Sequence, residues 1–234
     1  MKLKNKSKNL LIFAHPDDEV LAMGGYIAKN INSCLFKVIF IAEGSSCRYS
    51  ENDRNTKTVL KSIELRNAMA INSLKFLGIK NLVFYNLPCG MLDQVGILKI
   101  NKIIENEIKI FKPHNIFTHS SVDCNNDHRI VQRSVMMAAR PSAISKSIKK
   151  IFSCEILSST EWSFQETFSP NYFEILSNKN LNKKIRALKI YNSEYQKEPY
   201  PRNARGIKAL ATLRGLQSGH EYSEAFQLIK FISQ

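Results

Sequence analysis

Residues 10–25 read LLIFAHPDDEVLAMGG. The apolar run Leu10 to Ala14 has the length and continuity of a buried parallel strand, and it stops at His15, Pro16 and the successive acids Asp17, Asp18 and Glu19. A turn needs one Asp or Asn to bond its own backbone, and adjacent carboxylates repel unless a positive group sits among them. The candidates are a metal ion, a basic partner or plain solvent. Taken alone, the turn also reads as a capped helix start, with Asp17 or Asp18 bonding the first amides of a helix that begins near Glu19.

Outward from that stretch, strand-length apolar runs alternate with segments of helical period. The runs are Leu10 to Ala14, Phe36 to Ala42, Leu82 to Leu87 and Ile116 to Thr118; the helical segments are Glu19 to Ile31, Thr58 to Leu77, Gln94 to Phe111 and Asp127 to Ala139. This is the rhythm of an α/β fold, a Rossmann-like, mostly parallel sheet covered by helices on both faces. After Pro141 the rhythm weakens: 149–157 and 170–176 read as further strands, possible antiparallel additions, and 180–195 and 202–217 as basic helices, a C-terminal strand and helix extension. The expectation is one domain over residues 1–234. MGG at 23–25 does not make a GxGxxG fingerprint, which argues against a dinucleotide site.

Composition narrows the function classes. No stretch approaches the ~20 apolar residues that span a bilayer, and the lysine-rich start MKLKNKSKN precedes an apolar run too short for a signal-peptide core. The expected location is the cytoplasm. The 5 cysteines are scattered with no CxxC pair, so neither a disulfide framework nor a cysteine zinc site is expected. The net charge of +14 implies affinity for anions, but the lysines alternate with Asn and Ile, as in KINKIIENEIKIFK, in the manner of solvated helix faces. No RNA-binding signature or stacking run accompanies them, and no nucleic-acid partner is expected.

In parallel sheets, ligands sit outside the carboxyl ends of the strands. AHPDDE follows the first run and THSSVDCNNDHR the fourth, so both acidic-histidine segments fall on one edge. His15 and Asp18 lie three apart on a turn, and His128 opens the helix after the fourth strand. Two imidazoles and a carboxylate suit zinc or ferrous iron with coordination positions left open, which means catalysis rather than structure. Asp17, next to Asp18 but pointing elsewhere, is the natural proton acceptor. His114 reads as a loop residue, and His119 as pocket wall or support for a ligand.

AHPDDE together with a later DxNxDH resembles the PIG-L or LmbE-like zinc-dependent de-N-acetylases. ELRNAMAINSLKFLGI at 64–79 is similar to their second helix and RGLQSGHEYSEAF at 214–226 to their closing segment. The resemblance implies that His15, Asp18 and His128 hold zinc, that Asp17 is the general base, and that Arg66 and, less specifically, Asp123 touch a sugar hydroxyl. It implies removal of an acetyl group from an N-acetylglucosamine-like sugar. The basic stretches KNLNKKIRALK and YPRNARGIK would draw a nucleotide- or lipid-phosphate-linked form of that sugar.

One position departs from the resemblance. Several members have a histidine three residues before the last metal ligand, where this chain has Asn125. Asparagine can donate a hydrogen bond to an oxyanion but cannot supply a proton. Asp17 would then serve as base and acid, or His119 or His220 would be borrowed. An amidase of thiol-sugar conjugates, a sugar-binding protein without chemistry and a nucleic-acid-binding module remain the alternatives, and the sequence is silent on oligomeric state.

Overall fold

The computed structural model describes residues 6–233, so the first five residues of the lysine-rich start lie outside the described residues. Seven strands form one sheet: β1 Ser7–Phe13, β2 Cys34–Ala42, β3 Leu82–Leu87, β4 Asn115–His119, β5 Lys150–Cys154, β6 Tyr172–Ile175 and β7 Ser223–Phe231. The helices are α1 Asp18–Asn30, α2 Lys57–Leu77, α3 Ile97–Phe111, α4 Asn126–Ala138, α5 Asn178–Ile190 and α6 Ala204–Ser218. The order across the sheet is β3-β2-β1-β4-β5-β7-β6. The first five of these strands run parallel, while β7 is antiparallel to both β5 and β6.

Side chains of β1 alternate between two cores, as the pleat requires. Leu11 and Phe13 pack with residues of α1, α2 and α5 on one face, and Leu10 and Ile12 pack with α3 and α4 on the other. The stripe Ile100, Ile104 and Ile108 presents one side of α3 to the second core, at the spacing that keeps residues on one helical face. Covering both faces leaves the strand ends as the open edge. β1 and β4 are neighbours although three helices and two strands separate them in the chain. Strand order reverses between them, which makes a crevice at their carboxyl ends.

The second half differs from the sequence expectation in two places. Strand β5 is parallel to β4; the antiparallel additions are β6 and β7. β7 covers part of a stretch known from the sequence only as a closing segment, and its buried Ser223 to Phe226 fill the space between β5 and β6. The helix expected over 180–195 stops at Ile190, and the chain turns back through 191–203 before Asn203 caps α6 by accepting from the Gly206 N–H at 3.0 Å. No helix among the described residues is long and apolar enough to cross a membrane.

MGG finds its explanation in a kink. Met23 leaves helical geometry (φ −145°, ψ 26°), so the amides that follow lose their partners one turn back. Buried Glu224 of β7 accepts from Gly25 N at 2.8 Å and from Tyr26 N at 2.5 Å, a carboxylate cap on the restarted helix. Lys184 of α5 completes the group with Nζ 2.6 Å from Glu224 Oε1. A Cβ on Gly24 would meet the Lys184 stem at 2.9 Å, and one on Gly25 would collide with Leu176 and crowd Glu224. Both glycines are therefore set by close approach.

Glu224→Ala should lower stability by about 3–5 kcal/mol, because it leaves the Lys184 ammonium buried and unpaired. Adding Lys184→Met should recover part of the loss. Denaturant unfolding of the three proteins checks this; equal stability of Glu224→Ala and the parent would refute the cap.

Candidate metal centre and active site

Strand β1 ends at Phe13 and the turn His15–Asp18 folds back on itself: Asp18 Oδ2 accepts from His15 N at 2.8 Å. Asp17 takes φ 116°, a left-handed conformation that costs a non-glycine residue of order 1–3 kcal/mol. That twist sends successive carboxylates to different partners. Asp18 faces the histidines. Asp17 Oδ1 lies 3.1 Å from Arg66 Nη2, and Oδ2 lies 3.1 Å from Arg202 Nη1. Glu19 Oε1 accepts from the Tyr191 hydroxyl at 2.6 Å, and Oε2 holds the Asp17 N–H at 3.0 Å.

Beside the turn, α4 delivers His128. Its Nε2 lies 3.3 Å from His15 Nδ1 and 3.4 Å from Asp18 Oδ2, and the third edge, His15 Nδ1 to Asp18 Oδ2, is 3.5 Å. Tetrahedral zinc holds N and O ligands at about 2.0–2.1 Å, which separates neighbouring ligand atoms by about 3.3–3.4 Å. The donor triangle therefore has the dimensions of three corners of such a site, and the residues present fit a divalent ion. All three are buried.

The ligand candidates are oriented from behind. Asp127 Oδ2 takes the other ring nitrogen of His15 at 3.0 Å and the Gly90 N–H at 2.6 Å, while its Oδ1 accepts from Leu92 N at 3.1 Å. Asp123 Oδ2 sits 3.2 Å from His128 Nδ1 and accepts from the Thr160 hydroxyl at 2.6 Å, with the Ser159 hydroxyl on its other oxygen. Carboxylate support of this kind fixes ring orientation at metal-binding histidines. His119 stacks on His128 with centroids 3.9 Å apart, and its Nε2 accepts from Ala14 N at 2.8 Å.

Electrostatics follow from burial against these partners. Burial opposes a charged His128, yet Asp18 and Asp123 outweigh it and raise the imidazole to about 10. Burial would raise Asp18, but His128 and His15 carry it well below the ordinary carboxylate range. Asp17 goes the other way: burial pushes it up, and Arg66 and Arg202 offset this only in part. Burial and the neighbouring His128 hold His119 well below its usual value, so it is neutral.

Of the residues singled out in the sequence, His15, Asp18 and His128 converge, with Asp17 next to them in the turn. Arg66 and Asp123, expected against substrate, are buried at 4% and 1% exposure. Arg66 spends its nitrogens on Pro16 O, Gly44 O, Asp17 and Glu194. Asn125 is the N-cap of α4, its Oδ1 accepting from Asp127 N at 2.9 Å. His114 lies before β4, taking the Lys8 N–H, and His220 is exposed beside Ser218 O. Sequence reading missed Glu194, which gathers Arg48, Arg66 and Arg202 at 2.6, 3.0 and 3.4 Å. Arg202 stood in a stretch noted for charge; Glu194 had no local signal.

The sheet topology and the histidine–carboxylate triangle at its switch point make this an α/β protein with a candidate metal site at the open edge of the sheet. The family model described as PIG-L, GlcNAc-PI de-N-acetylase, matches residues 10–139, more than half of the 234. The chain belongs to this family. Among solved structures it is similar to the N,N'-diacetylchitobiose deacetylase from Pyrococcus horikoshii, with TM-score 0.78 and 17% identity over 97% of this chain and 85% of that one. It is similar also to the zinc-inhibited form of teicoplanin deacetylase Orf2, with TM-score 0.75 and 15% identity over 97% and 100% of the chains. GalB, the 4-carboxy-2-hydroxymuconate hydratase from Pseudomonas putida KT2440, is a third, with TM-score 0.73 and 18% identity over 97% and 98%. At such identities the likeness shows the fold. No curated protein sequence matches.

The purified chain should bind about one divalent ion, and His128→Ala should lose it; full occupancy in that variant by elemental analysis would sink the assignment. In the metal-free protein, the raised His128 stabilises the fold fully below about pH 6.5, and that contribution is lost as pH rises through about 10. Metal must displace the same proton. Zinc affinity should accordingly climb with pH toward about 10, and binding at pH 7 should release protons, read by calorimetry in buffers of different ionisation enthalpy.

Proposed function

We propose that the chain is a metal-dependent hydrolase that removes the acetyl group from an N-acetylated, N-acetylglucosamine-like sugar. The observation that carries this is the triangle of His15, Asp18 and His128 with a burial-raised Asp17 in the same turn. A divalent ion held there, zinc in our reading and ferrous iron by the same donors, would supply Lewis acidity toward an acyl oxygen and make nearby water more acidic. Asp17 takes the proton of the attacking water and passes it to the departing amine. Arg66 and Arg202 hold the two Asp17 oxygens in place. Asn125, whose Oδ1 is committed to the helix cap, has its Nδ2–H left as a donor for the oxyanion.

A cavity of about 510 Å³ lined by Arg48, Ser158, Trp162, Tyr200 and Arg202 adjoins this cluster, sharing Arg202 and Glu194 with it. Trp162 and Tyr200 are 61% and 63% exposed, open ring faces of the kind on which a sugar ring packs. With the guanidiniums of Arg48 and Arg202 they suit a sugar bearing phosphate or another anionic group. Internal pairs such as Lys37–Glu107, Lys184–Glu224 and Arg214–Glu155 consume acids as well as bases, so the surplus of +14 is carried outside them. The family match favours this reading over a nucleic-acid module, and a conjugate amidase would differ only in its pocket. The hydratase fold relative makes addition of water to a double bond the second reading.

Screening N-acetyl sugars, with and without phosphate, for freed primary amine in the presence and absence of zinc distinguishes these. Amine release is the expected result, and consumption of an unsaturated acid without it would favour the hydratase. Asp17→Asn keeps the shape and removes the proton acceptor, so turnover should fall by ~10²-fold or more with metal retained. Asn125→Ala should cost up to ~10²- to 10³-fold in turnover with metal affinity nearly unchanged; wild-type turnover would leave Asn125 as a cap alone.

A further inference from the structure

Cys47 and Cys89 are 42 positions apart in sequence, and their sulfurs are 3.1 Å apart in the fold. Cys47 lies in the short helical turn Ser46–Arg48 after β2, and Cys89 in the turn after β3. One buried carboxylate brings the two turns together. Glu43 accepts from Ser45 N at 2.5 Å, from Ser46 N at 3.0 Å and, across the gap, from Cys89 N at 2.9 Å. The backbones are close as well, since a Cβ on Gly90 would lie 3.1 Å from that of Cys47. The remaining cysteines are placed otherwise: Cys34 and Cys124 face serine hydroxyls at 3.9 and 3.8 Å, and Cys154 is fully buried in β5.

We propose that Cys47 and Cys89 form a reversible dithiol–disulfide site at the rim of the metal centre, with hydroperoxides as the oxidant. The sulfurs need to approach by about 1 Å to reach the 2.03–2.05 Å of a disulfide. Cys47 is exposed and can make that movement, while Cys89 is buried and pinned by Glu43. Arg48, next to Cys47, supplies a positive neighbour of the kind that favours attack by sulfur.

The chemistry has two steps. The Cys47 sulfur attacks one peroxide oxygen, the O–O bond breaks, and the thiol proton leaves with the second oxygen as water, which makes Cys47 a sulfenic acid. The Cys89 sulfur then attacks the Cys47 sulfur; the S–S bond forms, the S–O bond breaks, and the Cys89 proton leaves in a second water. Two thiols have lost two electrons and two protons, and one hydrogen peroxide has become two waters. A dithiol reductant reverses the change by exchange.

The site touches the metal centre through one peptide. Gly90 N, adjacent to Cys89, donates to Asp127, and Asp127 holds His15. The disulfide would thus staple the two turns that frame the ligand support.

Mass spectrometry of the full-length, metal-loaded protein after brief treatment with hydrogen peroxide tests the assignment without reference to activity. The expected result is a loss of about 2 Da, the two hydrogens removed, with Cys47 and Cys89 joined in one non-reduced peptide and dithiothreitol restoring the mass. The Cys47→Ser protein should show no such loss. Should that variant fail to fold, alkylating exposed Cys47 in the native parent beforehand must block the change. Unchanged free thiols, a bridge that uses another cysteine, or a loss of about 2 Da that survives Cys47→Ser or alkylation would overturn the proposal.

Discussion

Everything at the open edge of the sheet closes on Asp18 Oδ2. One oxygen accepts the His15 backbone N–H and stands 3.4 to 3.5 Å from nitrogens of His15, His128 and His119. It thereby fixes the turn and gathers the imidazoles at once. A carboxylate buried to this depth is costly unless its charge is matched, and the matching cation is His128, which Asp18 and Asp123 together hold protonated against its burial. Each requires the other. The demand reaches the sheet order itself, because only adjacency of β1 and β4 brings the turn after one strand against the helix after the other.

The same turn settles how three successive acids coexist. The left-handed Asp17 divides them among histidines, arginines and a tyrosine hydroxyl, so that none relies on solvent. Around Asp17 and Glu194 the balance tips positive: Arg48, Arg66 and Arg202 face two carboxylates. Glu194 is held below its ordinary value against burial by Arg48 and Arg66. Arg48, Glu194 and Arg202 of this cluster also line the neighbouring cavity.

What was legible in the sequence is what local chemistry writes. Four strand runs alternating with four helical segments, and two motifs that each span a strand end and the start of a helix, carry their own pattern. The kink at Met23 was not legible, since MGG has meaning only beside Lys184, Leu176 and Glu224, more than 150 residues later. Glu194 was silent and Arg202 legible only as charge: the segment between α5 and α6 has no period, and its partners belong to α2 and to the first turn. The parallel direction of β5 depended on how the chain crosses after α4, which no residue in 149–157 encodes. The cysteine pair was hidden for the same reason, because separation by 42 positions looks like scatter until two turns share Glu43.

The division of labour proposed for catalysis rests on which groups can still move a proton. Amide hydrolysis must remove one from water and deliver one to the departing amine. His119 is held neutral by burial and His128 and has spent Nε2 on Ala14, so it has none to deliver at neutral pH. His220 is exposed at the turn after α6, bonded beside its own Ser218 carbonyl. Asp123 and Asp127 are held below the ordinary carboxylate range despite burial, by His128 and His15 respectively, and are thereby poor acceptors. Glu19 is raised by burial to about 8, but it lies past the turn, in the first turn of α1, with its carboxyl against Tyr191 and the Asp17 amide. Of these groups Asp17 combines a burial-raised carboxyl with a position in the turn that carries His15 and Asp18, held by Arg202 and by Arg66, whose guanidinium stays charged whichever way the Asp17 proton moves. A group so placed can take the proton in one half of the reaction and return it in the other, and the asparagine at 125 then leaves no gap in the proton path.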